Sequence, residues 1–139
     1  AFIDFGTTTN KVLVKVSLSS ANSEGAAANI DKELSHWSFD KVRREAKQQW
    51  KRILSRIKVE GARKEENRVF YTALYHAYLA PYIFSDIHGN YKGPDGEIHS
   101  VGKENQYTVF SLWDTFRASH PLFTITQKNR VNDMINSFI

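Results

Sequence analysis

The 139 residues include no cysteine, one methionine and three prolines, and no apolar run approaches the ~20 residues that a membrane-spanning helix needs. The lack of thiols excludes a disulfide framework, thiolate metal sites and cysteine nucleophiles, while fitting cytosol and periplasm equally well. The opening AFIDFGTTTNK has neither the basic start nor the apolar stretch of a secretory signal, so a piece processed or cut from a longer polypeptide is expected. What remains is rich enough in apolar (41%) and aromatic (13%) side chains to exclude disorder. A chain of this size buries roughly two-thirds of its extended surface, so one ordinary core and one compact domain are the first expectation.

The formal charge of +4 is local. Residues 40–68 hold eleven of the nineteen Lys and Arg but five of the fifteen Asp and Glu, and the rest of the chain is slightly acidic. That segment reads as a helix over 39–57, because Phe39, Val42, Ala46, Trp50, Ile53 and Ile57 recur every three or four residues. Its basic residues lie between these positions, as on a solvated outer face. A nucleic-acid surface would need aromatic side chains among the cations, and Trp50 belongs instead to the apolar stripe.

Several other elements follow from pattern. Val12, Val14, Val16 and Leu18 alternate through Lys11–Ser19, which predicts a strand with one buried face, and AFIDF with the turn residues 6–10 suggests a hairpin with it. Residues 19–29 read as a small-residue connector leading through 30–37. Ser38 is the expected N-cap of the basic helix, with Asp40 in its first turn, and Gly61 a stop beyond it. A second helix is expected over 65–80, ended by Pro81 and pairing with the first. Residues 81–110 are loop-like, with a short hairpin across 90–99 signalled by Pro94-Asp95-Gly96. Helical pattern resumes at Ser111, whose spacing from Asp114 resembles a capping box, and Pro121 is read as its end. Val131, Met134, Ile135 and Phe138 mark a last helix whose pattern runs to the end of the sequence without a cap.

Few residues form a chemical constellation. Asp86, His88, Asn90 and Glu97 occupy places one, three, five and twelve of a calcium-loop window, yet Tyr91 stands where the loop needs glycine and His88 offers nitrogen to an oxygen-seeking ion. The five histidines show no paired zinc spacing, and His76 is expected to be a hydrogen-bonded core histidine. No nucleophile elbow, phosphate loop or dinucleotide fingerprint occurs. The densest cluster is Ser111–Pro121. There Trp113 offers a flat indole to the C–H face of a pyranose, while Asp114 and Arg117 can each engage two hydroxyls or, three apart on a helix, each other. A buried tryptophan beside a surface ion pair is the alternative.

The wording of these segments is more specific than their periods. Phe70–His76 (FYTALYH), Phe84–Tyr91 (FSDIHGNY), Ser111–Arg117 (SLWDTFR) and His120-Pro121-Leu122, preceded by VKVSLSS, Asn29–Glu33 and WSFD, resemble the motif run of family 92 glycoside hydrolases. These are calcium-dependent exo-acting α-mannosidases, and the resemblance covers essentially the whole chain. It implies a mainly α chain with a short N-terminal β segment. Residues 1–29 would be the last strands of a β-sandwich, 30–63 a linker helix, and 64–139 the first helices of a truncated (α/α)6 barrel. It further implies inverting hydrolysis of terminal α-1,2-linked or related mannosides, with an acid and a base on opposite sugar faces. The acid, the base and most calcium ligands belong to motifs absent here, so no catalytic or metal residue is assigned and the chain alone is expected to be inactive. Asp114 resembles the substrate-contacting aspartate of the terminal-mannose subsite, with Trp113 and Arg117 as its neighbours. His88 departs from the family's usual aspartate, and Tyr78 and Tyr82 replace simpler residues. The implied partners are α-mannoside glycans and the remainder of the parent polypeptide, without nucleic acid or a membrane span, in a periplasmic or secreted bacterial setting. An independent carbohydrate-binding or interaction module is the competing reading, and a basic nucleic-acid binder using 40–68 a third.

Overall fold

A computed structural model describes residues 4–7, 11–61, 63–108 and 111–139. It is mostly helical, with α1 (Ser23–Glu33), α2 (Phe39–Leu54), α3 (Lys64–Ala77), β1 (Asn90–Lys92), β2 (Ile98–Ser100), α4 (Leu112–Thr115), α5 (Ser119–Thr126) and α6 (Lys128–Asn136). The fold class read from the sequence holds; several elements differ in detail.

The expected strand does not pair. Residues 11–18 form no ladder among the described residues, and Val14, Val16 and Leu18 are exposed. The polar side of the run faces the chain instead: Lys15 donates from its ammonium to the Leu34 carbonyl and lies 4.4 Å over the Trp37 ring. An alternating pattern buries its apolar side only against a partner, and none is present among the described residues. The hairpin turn with AFIDF falls partly on residues 1–3 and 8–10, outside the described ones.

The connector at 19–29 proves to hold the first two turns of α1, which runs on to Glu33. Asn22 caps it by accepting from the Gly25 amide at 2.8 Å, and the alanines at 26–28 supply helix propensity. Helix α1 is stitched to the loop at 84–92. Asn29 accepts from the Ile87 amide and donates to the Leu18 carbonyl, while Ser20 donates to the Phe84 carbonyl and accepts from the Lys92 amide.

Helix α2 starts as expected, with the Ser38 hydroxyl accepting from Lys41 N at 3.3 Å and Asp40 in the first turn. It closes at Leu54, three residues early, as the chain turns through Ser55–Ile57. It buries no residue fully. Its apolar stripe meets α3 edge-on, with Trp50 4.5 Å from Tyr75 and the Tyr71 hydroxyl donating to Ile57 O, which is the expected helix pair. The α3 start is fixed by Glu66, whose carboxylate accepts from Arg63 N and from its guanidinium; these bonds hold Glu66 below its ordinary value of 4.5. His76 is exposed beside Tyr75 rather than in the core.

The core is small. Tyr107, Phe123 and Met134 form it, with Tyr78 and Val131 packed against them. Residues 82–85 pair with 106–108 through Thr108 N to Tyr82 O, Phe84 N to Gln106 O and Tyr82 N to Thr108 Oγ1, closing the 81–110 excursion at its base. Asn105 and Tyr107 tie that base to α6 through Asp133 and Ser137. The expected hairpin is present as β1 and β2, with Tyr91 opposite His99. Helix α6 ends at Asn136, where Ser137 N bonds back to Asp133 O, so the helical pattern closes before Phe138.

Candidate functional site

The cluster at Ser111–Pro121 is not one helix. Helix α4 is a single turn, and α5 begins at Ser119. Ser111 O accepts from Asp114 N, from Thr115 N and from the Thr115 hydroxyl, but the Ser111 hydroxyl itself makes no cap bond, so the capping box suggested by spacing is not formed. Pro121 does not end a helix. It stands in the first turn of α5, where a missing N–H costs nothing because that turn has no intrahelical acceptor.

The turn at Phe116–Ala118 decides the geometry. Side chains three apart meet only while the helix continues, and Ala118 leaves it with φ −132° and ψ −48°. Asp114 and Arg117 accordingly form no ion pair; the Arg117 guanidinium lies 5.5 Å from the Phe116 ring centroid instead. Trp113 is 86% exposed, so none of the described residues buries it. Asp114 and Arg117 are also exposed, so the three expected site residues point outward from neighbouring positions, each with its chemistry available. A flat indole, an uncommitted carboxylate and a guanidinium are the groups that grip a pyranose by its C–H face and its vicinal hydroxyls.

One pair escaped the sequence reading. Thr115 Oγ1 hydrogen-bonds both Ser111 O at 2.9 Å and His120 Nε2 at 2.8 Å. The second bond ties α4 to α5 and fixes the turn that presents Asp114. A spacing of five residues across a helix break has no periodic signature, and only the HPL wording hinted at it.

In the loop at 86–97 the would-be ligands are not gathered into one set. Asp86 is buried, and its Oδ1 accepts from His88 N and Asn90 N, both at 2.9 Å, so the carboxylate holds a turn. Among the described residues no three His, Asp or Glu side chains converge. Calcium takes six to eight oxygens, and the residues here do not supply such a set.

At the hairpin tip, Asp95 Oδ1 accepts from Glu97 N and the carboxylate meets His99 Nε2 at 2.9 Å. The Glu97 amide first, then His99, holds Asp95 below its ordinary value of 3.8. A lowered carboxyl stabilises the tip above that ordinary value, and the contribution is lost as pH falls through the lower folded one. Amide exchange at Glu97, after correction for intrinsic rates, should therefore speed up as pH falls below about 4, with Asp95→Asn abolishing that rise.

Comparison with known proteins places the chain among others. The profile described as the Glycosyl hydrolase family 92 catalytic domain matches residues 25–139. The structure is similar to that of the family GH92 α-mannosidase BT3965 from Bacteroides thetaiotaomicron, with a TM-score of 0.79 and 39% identity over 86% of this chain and 16% of that one. It is equally similar to the GH92 family glycosyl hydrolase ccman5, with a TM-score of 0.79 and 27% identity over 86% of this chain and 16% of that one. An uncharacterized secreted glycosidase of Arthroderma benhamiae is 33% identical over 75 residues, 51% of this chain and 10% of that protein. The chain thus spans about a sixth of the length of these solved relatives.

Proposed function

The chain belongs to glycoside hydrolase family 92, and from that premise we propose that it contributes part of the terminal-mannose subsite of an exo-α-mannosidase acting on α-1,2-linked or related mannosides. The observation that carries this reading is the outward presentation of Trp113, Asp114 and Arg117 around one short helical turn, with Asp114 unpaired. In the proposed complex, Asp114 accepts hydrogen bonds from two sugar hydroxyls, Trp113 covers the C–H face and Arg117 donates to a further hydroxyl.

Inverting hydrolysis then needs a carboxylic acid to protonate the leaving oxygen and a carboxylate to activate water, ~6.5–9.5 Å apart. We assign neither to this chain, which on this reading is inactive alone. Calcium, if the complete enzyme uses it, takes most of its ligands from elsewhere, since the residues here do not fit it. The domain layout proposed is the end of a β-sandwich over 1–29, a linker over 30–63 and the beginning of an (α/α)6 barrel from 64, with α1 running across the first junction. No helix among the described residues is long and apolar enough to cross a membrane, and the relative named as secreted supports a periplasmic or secreted setting.

In the complete polypeptide, Asp114→Ala should lower kcat/KM on α-1,2-mannobiose by roughly a hundredfold or more, the effect of removing a charged hydrogen-bonding group from a desolvated site. Unaltered turnover and KM in that variant would remove Asp114 from the subsite. Activity that survives a strong calcium chelator would remove the metal from the proposal.

A further inference from the structure

Helix α4 has little of its own to hold it. It is one turn, and a single turn fixes several backbone dihedrals for very few hydrogen bonds, which is unfavourable in isolation. None of its four residues is buried, and Leu112, Trp113 and the following Phe116 are all exposed. Nor does α5 extend it. Phe116 N closes α4 on Leu112 O and Leu122 N opens α5 on Ala118 O, so the two helices share no continuous ladder. Asp114 therefore takes its direction from whatever ties this turn to the rest of the fold.

Among the described residues that tie is a relay of three side chains. Thr115 Oγ1 bonds Ser111 O inside the turn and His120 Nε2 beyond the break, so one hydroxyl joins the two sides. The half-buried His120 ring stands edge-on to Phe123, with planes at 84° and centroids 6.2 Å apart. Phe123 in turn belongs to the core with Tyr107 and Met134.

Histidine suits this place because one rigid ring makes both contacts, an apolar edge on the core and a nitrogen on the hydroxyl. Its backbone is stiff as well, being in the first turn of α5 directly before Pro121, whose ring fixes φ. A group restrained in this way transmits its position with little loss of freedom.

We propose that His120 is a positioning residue of the terminal-mannose subsite: through Thr115 it holds α4 so that Asp114 keeps one orientation toward the sugar. The inference rests on the subsite reading above and adds to it the group that sets its geometry. His120 itself does not touch the sugar, since its Nε2 is spent on Thr115.

The test is a set of mutant cycles on kcat/KM for α-1,2-mannobiose in the complete polypeptide. His120→Phe keeps a ring against Phe123 but loses the nitrogen, and Thr115→Val keeps the side-chain shape but loses the hydroxyl. Each should lower kcat/KM roughly tenfold, and the double variant also roughly tenfold rather than a hundredfold, because both remove the same bond. His120→Gln, whose amide reaches the place of Nε2, and Thr115→Ser should each recover most of the loss, which a space-filling role would not show. In an Asp114→Ala background His120→Phe should cost less than about threefold. Losses that multiply between 115 and 120, or a full His120→Phe loss without Asp114, overturn the inference. If Asp114→Ala leaves turnover and KM unaltered, or the unmodified polypeptide does not cleave the disaccharide, the subsite reading fails separately. Amide exchange at Thr115 and Phe116 then decides the part that concerns His120: faster in His120→Phe, with Asn90 unchanged, it still orders α4; unaltered, it does not.

Discussion

Gly25→Ala should destabilise the fold by about 2–5 kcal/mol, although alanine is the better helix former by about 1 kcal/mol. Gly25 is buried in the first turn of α1, and a Cβ there would sit 2.3 Å from Asp86 Oδ2 and 2.9 Å from the Ser19 hydroxyl. The Asp86 carboxylate has little freedom to retreat, because its Oδ1 holds the His88 and Asn90 amides. Displacing it costs those charge-assisted bonds, and it also pushes the 84–92 loop from Ser20 and Asn29. The loss should appear as a lower urea midpoint and as faster amide exchange at His88 and Asn90, while the Glu97 amide at the hairpin tip changes little. A double-mutant cycle isolates the cause. In an Asp86→Ala background the same glycine substitution should cost much less, giving a coupling above 1 kcal/mol as expected for groups in direct contact. A neutral or stabilising Gly25→Ala would show that α1 and the loop are not packed this closely.

The sequence was most legible where one local cause dominates. Ser38 caps α2 because a hydroxyl precedes an amphipathic run, and Pro94-Asp95-Gly96 turns the hairpin because Gly96 takes φ 86°. It was least legible where the outcome depends on a partner. The alternation at Val12–Leu18 states that one side can be buried, without saying against what. The alanines of α1 looked like connector because their helix carries almost no apolar stripe, and what orders it is the side-chain chemistry of Asn22, Asn29 and Asp86.

The candidate site divides in the same way. Its residue types were readable, since WDTFR places an indole, a carboxylate and a guanidinium within five positions. Its geometry was not. One helix over 111–121 would allow Asp114 to reach Arg117 and make Pro121 a terminator, whereas the break at Phe116–Ala118 separates that pair and puts the proline inside α5. The break is accompanied by contacts that no period announces, His120 with Thr115 across it and Phe123 with the core beyond the segment. Asp86 shows the converse. Its spacing invited a metal-ligand reading, but burial against α1 commits its oxygen to two backbone amides.

Phe123→Ala should be the most damaging single change, at about 3–5 kcal/mol, the usual range for deleting a buried aromatic. Phe123 is 3% exposed and is the α5 contribution to a core that otherwise rests on Tyr107 and Met134. Its ring lies 6.2 Å from both Tyr78 and His120. With so few buried side chains there is no second layer to collapse into the cavity, so little of the loss is recovered by relaxation. The effect also reaches the site. His120 packs on Phe123 and bonds Thr115, so loosening the ring frees the turn that presents Trp113 and Asp114. Near-UV dichroism and urea unfolding should both report the loss, and Phe123→Leu should recover most of it by refilling the volume. Ile125, on the same helix but 71% exposed, is the internal control, since Ile125→Ala removes surface carbon and should stay within about 0.5 kcal/mol. Equal costs at 123 and 125 would mean that α5 presents a different face to the core, and with it that the turn carrying Asp114 is oriented otherwise.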